Sequence, residues 1–276
     1  MKLFFNVLLV SVALLFSSLN YAMPRSENLT ALTYQGMPID SLCLFETDQS
    51  RETVTLKNCG LKAREGRVLT GKNKQLMSQG FEGYDYDWTI AGSVNTRGYS
   101  YYKSYGKVGK SVIVQLINNS GGTGTFTSLS LVKRWGDELH VVHLNGGDRC
   151  NGGLNDVQRV GDNLIYRVNL TAFDVLMFGH DNPHGLKAYD DLGSCAICCV
   201  ARAVYLRHLG SDFSNEKLLH VDLIPNTKRE GQSPYEPRYQ TCFDDLLRKY
   251  GRKNNNKLDD KQLVRFAHQF NMQCVD

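Results

Sequence analysis

The sequence predicts an α+β protein: mainly an antiparallel β meander, braced by disulfides, with a helical hairpin at its C-terminal end. Three observations lead there. The middle of the chain is a series of strand-like runs broken by glycine-bearing turns, two segments near the C-terminus have helical apolar spacing, and eight cysteines follow an export signal. The corresponding division is a signal peptide at 1–22, a β-rich domain at 23–232 and the helical hairpin at 233–276.

The β elements come first. Residues 111–117 form a nearly continuous β run, and 126–133 form another beyond the glycine-rich connection at 118–124. Two later segments, 132–139 and 157–164, share the pattern V-x-R-x-G-D-x-L. Gly followed by Asp between β runs suits a tight hairpin, because glycine supplies the positive φ that other residues resist. They are expected to be two successive hairpins of a meander. Residues 200–208 and 218–224 fit one more hairpin; a helix over 196–209, favoured by Ala201, Arg202 and Ala203, is the competing reading. Thr171 with Asp174 three residues on reads as a capping box opening a short helix through Phe178.

The C-terminal segments carry Phe243, Leu246, Leu247 and Tyr250, then Leu263, Phe266, Ala267 and Phe270, each set at i, i+3, i+4 and i+7. Asp259 with Gln262 marks the second helix start, and the loop at 251–258 lets the pair fold back antiparallel. The polar, proline-bearing stretch 225–237 reads as the linker to them. Their basic residues, Arg248, Lys249, Arg252, Lys253, Lys257 and Lys261, stand among Asp244, Asp245, Asp259 and Asp260, which suits a solvated helix surface.

Export is read from the N-terminus. Met1-Lys2 precede a fourteen-residue apolar run at 3–16, interrupted by Asn6 and Ser11, then a polar stretch and small Ala22. That order is the one a signal peptide needs, and the run is too short to cross a bilayer comfortably. Cleavage after Ala22 is expected, and no cysteine near it offers a lipid anchor. No second apolar stretch approaches membrane-spanning length, so no membrane span is expected in the mature chain. Loss of Lys2 alone leaves 31 basic against 28 acidic residues, a balance that argues against a nucleic-acid partner.

Eight cysteines in an oxidising compartment suggest four disulfides. Cys43 and Cys59 flank two strand-like runs, 42–46 and 53–56, so a bond across that hairpin is the simplest pairing. Cys242 and Cys274 come to the same end of the helical hairpin. Adjacent Cys198 and Cys199 point to opposite faces of a strand, so they should have different partners; Cys195 with Cys198, and Cys150 with Cys199, is the expected arrangement.

Several candidate chemistries meet opposing features. The C-x-x-C at Cys195 and Cys198 lacks a βαβ setting, and nearby Asp190 and Asp191 would raise a thiol pKa, so a structural bridge is favoured over redox exchange. Haem attachment fails because Cys199 stands where a histidine is required. His140 and His143, three apart on a strand, face opposite sides, and His180, Asp181 and His184 share a loop where solvation is the simpler state. The run at 121–125 lacks the lysine of a phosphate loop, and neither G-x-S-x-G nor H-E-x-x-H occurs. No metal site and no cofactor are therefore assigned.

The densest unusual segment is Gly146-Gly147-Asp148-Arg149-Cys150-Asn151-Gly152-Gly153. Its glycines admit a close backbone approach, while Asp148, Arg149 and Asn151 offer polar contacts; the plainer reading is a disulfide-pinned loop whose side chains satisfy backbone groups. A bond from Cys150 to Cys199 would bring it beside Asp190 and Asp191, making these five the candidate binding residues.

The G-G-D-R-C-N-G-G segment and the Y-D-D-L that precedes C-A-I-C-C resemble segments of uncharacterised exported proteins of Gram-negative bacteria. The resemblance covers the middle third of the chain. It implies a periplasmic or secreted bacterial protein and carries over no catalytic residue.

The leading expectation is an exported protein that binds a protein or cell-envelope partner. The rival is an exported enzyme, either a hydrolase with a dispersed site or a thiol oxidoreductase using Cys195 and Cys198. Asn28, Asn118 and Asn169 begin N-x-S or N-x-T triplets, which keep glycosylated eukaryotic secretion open. When the complete chain is expressed in a secreting host, N-terminal sequencing should find the mature protein starting at Met23; export with residues 1–22 retained would contradict the signal.

Overall fold

The computed structural model describes residues 32–50, 53–59, 67–88, 96–179, 192–210, 215–224 and 238–275. The expected signal peptide and the 225–237 linker lie outside them. Two antiparallel sheets dominate. The first part of the chain supplies a small ribbon, β1 (Thr33–Tyr34) with β2 (Met37–Pro38), then helix α1 (Ser41–Ser50), β3 (Val54–Thr55), β4 (Arg67–Gly71) and the short α2 (Lys74–Ser78). A run of long strands follows: β5 (Glu82–Trp88), β6 (Thr96–Val108), β7 (Ser111–Asn119), β8 (Phe126–Trp135) and β9 (Glu138–Asp148). With β3 and β4 they form a seven-stranded sheet in the order β3-β9-β8-β7-β6-β5-β4.

The remaining strands, β10 (Leu154–Val160), β11 (Asn163–Leu170), β12 (Ala201–His208), β13 (Glu216–Leu223) and β14 (Lys257–Leu258), form a five-stranded sheet in that order. Among the described residues three helices accompany it: α3 (Ala172–Met177), α4 (Arg238–Lys253) and α5 (Asp260–Phe270), the last running into a π-turn at Asn271–Val275. The hairpin reading of β12 and β13 therefore prevails over the helix. Val204 and its neighbours pair across the whole length of both β11 and β13.

Alternation explains the layers. On one face of the seven-stranded sheet Val112, Val114, Leu116, Val132, Leu139 and Val141 pack with Leu44, Cys43, Ile39 and Leu32 from α1 and its approach. On the other face Ile113 and Leu129 join a second core with Leu164, Tyr166 and Val221 of the five-stranded sheet and with the helices. Phe243, Phe266 and Phe270 meet there edge to face, with ring centroids 5.4 and 6.1 Å from Phe243. Both capping boxes form: Thr171 with Asp174, and Asp259 with Gln262.

All eight cysteines pair as the sequence suggests, as Cys43–Cys59, Cys150–Cys199, Cys195–Cys198 and Cys242–Cys274. The first bond, however, does not cross a hairpin. Residues 42–46, read as a strand, lie in α1, because the Asp40 carboxylate accepts from Leu42 N at 2.9 Å and starts a helix that buries Leu44, Thr47 and Asp48 on one side. Five apolar and polar residues are too few for periodicity to separate helix from strand.

The two V-x-R-x-G-D-x-L segments also differ from a simple meander: the first is the β8–β9 hairpin of one sheet, the second the β10–β11 hairpin of the other. Their likeness has a local cause. In each, glycine turns the tip at φ 58° (Gly136) or 59° (Gly161), and the preceding arginine closes it by donating from Nε to that glycine's carbonyl, Arg134 at 2.7 Å and Arg159 at 3.1 Å. The guanidinium then reaches a neighbouring chain segment, Thr33 O for Arg134 and the Tyr105 and Lys107 carbonyls for Arg159.

Since Phe266 is fully buried between Phe243 and Tyr250 in the core shared with the five-stranded sheet, Phe266→Ala should cost about 3–5 kcal/mol in urea unfolding. A cost below about 1 kcal/mol would show that this helical packing is dispensable.

Candidate functional site

Helix α1 lies across the seven-stranded sheet, and its last turn stands over β8 and the end of β9. There Phe45, Asp48 and Gln49 from the helix, Phe126 and Thr127 from β8, and His143, Gly146 and Gly147 from β9 line an open cleft of about 150 Å³. The two phenylalanines are walls, with ring centroids 6.3 Å apart. The glycine wall is bare backbone by necessity: a Cβ would lie 2.4 Å from Thr127 O at Gly146 and 1.8 Å from Asn151 O at Gly147.

At the base sits Asp48, whose side chain is 0% exposed. It accepts hydrogen bonds from Ser130 Oγ at 2.5 Å, from Gln49 Nε2 at 3.2 Å and from His143 Nδ1 at 3.1 Å. Burial alone would push its carboxyl up. The hydrogen bond from His143, that from Ser130 and the charge of His143 together outweigh burial, with a smaller contribution from Ser128, and hold the carboxyl below its ordinary value. An ionised carboxylate only accepts, so the proton in the His143 contact belongs to Nδ1, and in the neutral tautomer that makes this contact Nε2 carries the lone pair. His143 is 25% exposed and lines the cleft.

The strand register makes this possible. Ser130 pairs directly with His143, which puts both on the α1 face, and a bulge next to that pair leaves Leu144 as the extra residue on β9. Leu144 packs instead towards the second core. His140 belongs to the opposite face, as expected; it meets Thr53 Oγ1 at 3.0 Å and the Trp135 ring at 4.6 Å.

Of the candidates singled out in the sequence, Asp148, Arg149 and Asn151 occupy the adjoining corner and do not line this cleft. Asp148 Oδ1 accepts from Thr125 N at 2.9 Å, and Arg149 Nε stands 3.7 Å from the same oxygen. Asn151 N donates to Asp148 O, and Asn169 clasps the loop through Arg149 O, Gly152 N and Gly153 O. Cys150 and Cys199, with Cα atoms 4.8 Å apart, tie this corner to the segment after residue 191. Asp190 and Asp191 lie outside the described residues, as do His180, Asp181 and His184. Cys195 and Cys198 close a one-turn loop, with Cys198 N donating to Cys195 O at 2.9 Å. Among the described residues no group of three or more His, Cys, Asp or Glu side chains is arranged to hold a metal ion. Of the three glycosylation triplets, Asn118 is buried in β7 and the half-buried Asn169 donates its amide to Arg149 O; Asn28 lies outside the described residues.

Sequence reading missed Asp48, which falls between the runs 42–46 and 53–56 read as strands, and hence the Asp48–His143 pair. A signal was available: Asp40 followed by Ser41-Leu42 is a helix start, and a helix places Leu44 and Asp48 four residues apart on one face. In comparison with known proteins, no family model, no curated protein and no solved structure matches the chain.

A carboxyl held below its unfolded value adds stability above about pH 3.9 and loses it as the pH falls through the lower, folded value. Thermal unfolding followed from neutral pH to about pH 2 should therefore show a steeper acid loss for the native protein than for Asp48→Asn. Parallel acid limbs for the two would mean that Asp48 is not held ionised.

Proposed function

We propose that the protein is exported and acts by binding a protein or cell-envelope partner, an apolar or aromatic group of which enters the cleft between Phe45 and Phe126. Four disulfides support export, since such bonds persist in oxidising compartments. Among the described residues no helix is long and apolar enough to cross a membrane. The observation that carries the binding reading is the cleft itself: Phe126 stays 38% exposed beside Phe45, over a base whose polar groups are already fixed. Single exposed apolar residues are ordinary on protein surfaces, whereas paired aromatic walls around convergent polar groups are the composition of a ligand site.

The cleft is also built before any ligand arrives. Cys43–Cys59 and the Asp40 cap fix α1 at its start, and the hydrogen bonds to Asp48 fix its end. Little ordering cost then remains to be met on binding. The neighbouring corner with Asp148, Arg149 and Asn151, and the Asp190–Asp191 approach, form the second candidate contact.

Partner capture from envelope extracts tests this. Phe126→Ala should reduce the captured partner by about tenfold or more at unchanged melting temperature, equivalent to at least about 1.4 kcal/mol of lost contact. Undiminished capture by Phe126→Ala, with loss on joint alanine replacement of Asp148, Arg149 and Asn151, would move the contact to the corner.

A further inference from the structure

We infer that the cleft is also a hydrolytic site, in which His143 acts as general base on water and the substrate is an uncharged carboxylic ester. The inference rests on the cleft being the contact site for a partner, and it adds a reaction to that contact.

Three features lead to the chemistry. Asp48 is buried, ionised and bonded to Nδ1 of His143, which fixes the tautomer in which Nε2 is the basic nitrogen. Ser130, Gln49 and the burial under α1 hold that carboxylate in place, so Asp48 is a positioning residue and His143 the group that meets the reacting atoms. No serine or cysteine side chain lines the cleft, and Thr127 Oγ1 accepts from Leu154 N at 2.5 Å, which leaves water as the nucleophile.

The lining also selects the substrate. It contains no lysine or arginine and has a buried carboxylate at its base, so a phosphate or carboxylate substrate would enter without a countercharge and against repulsion. Phe45 and Phe126 favour an apolar or aromatic portion, and a cleft of about 150 Å³ admits a small one. An ester fits better than an amide, because its alcohol leaves with less help from an acid. Gln49 Nε2 has two protons and gives one to Asp48, so the second is available to the substrate carbonyl.

The step balances without a further reactant. His143 Nε2 takes a proton from water as the water oxygen bonds to the carbonyl carbon. The tetrahedral intermediate then breaks its bond to the alkoxy oxygen, which takes the proton from the imidazolium. The products are a carboxylic acid and an alcohol, with His143 returned to its neutral form.

The mature protein, assayed with p-nitrophenyl butyrate, should show saturable release of p-nitrophenol that is slower in D2O. His143→Ala and His143→Gln, purified in parallel and shown to be folded at the assay temperature, should both lose about 100-fold or more, in line with removal of a general base. His208→Ala, which removes an exposed histidine of β12, should keep the native rate. Equal rates in native and His143 variants, or no release above buffer, would overturn the inference. Partner capture separates the two readings: capture without hydrolysis by the native protein removes only the catalytic one, and His143-dependent hydrolysis without capture removes only the partner.

Discussion

Between Gly146 and Leu154 the chain passes from the end of β9 to the start of β10, and three glycines on that path have no room for side chains. Cβ atoms at Gly146, Gly147 and Gly153 would fall within 1.8 to 2.4 Å of backbone oxygens, and Gly152 has φ 79°. The backbone crowding follows from what the corner must do, which is to lay one sheet over the other so that Ile113 and Leu129 share a core with Leu164 and Tyr166. Cys150 locks it to Cys199, and Asn169 on β11 completes its hydrogen bonding. At Gly147 the corner itself, and at Gly146 the neighbouring strand β8, strip the cleft wall to backbone beside the space that Phe45 and Phe126 frame.

The second costly element is the charge beneath α1. Desolvating a carboxylate is expensive, with an effective penalty of several kcal/mol, and only well-placed partners offset it. Asp48 has three, each from a different place: Ser130 on β8, His143 on β9 and Gln49 beside it on the helix. An apolar residue would have packed against the sheet without that cost. The carboxylate serves no packing need that Leu44, one turn earlier and fully buried, does not already serve. What it adds is an oriented imidazole at the margin of an open cleft.

Legibility in the sequence followed the range of the cause. Turns, caps and helical spacing act over a few residues, so the Gly136 and Gly161 hairpins, the Asp259–Gln262 cap and the faces of α4 and α5 could be read directly. Disulfide pairing was readable too, because Cys198 and Cys199 restrict each other. The division of the strands into two sheets was not readable, since the two hairpins look alike in sequence and differ only in what they pack on. The site was less legible still. Its parts are 95 residues apart at Asp48 and His143 and are joined through a bulge beside Ser130 and a helix that the sequence resembled a strand in specifying. The glycine-rich corner drew attention as a candidate because of its composition, and that composition has a sufficient cause in the crossing it makes.

The claim on which the rest turns is that buried Asp48 fixes the tautomer of His143. Nitrogen-15 NMR of the histidine rings at neutral pH measures this directly. In the neutral ring Nδ1 should carry the proton, in a hydrogen bond that disappears in Asp48→Asn, and Nε2 should be bare. A His143 protonated at Nε2 and bare at Nδ1 would contradict it, because the nitrogen facing Asp48 would then have no proton to give.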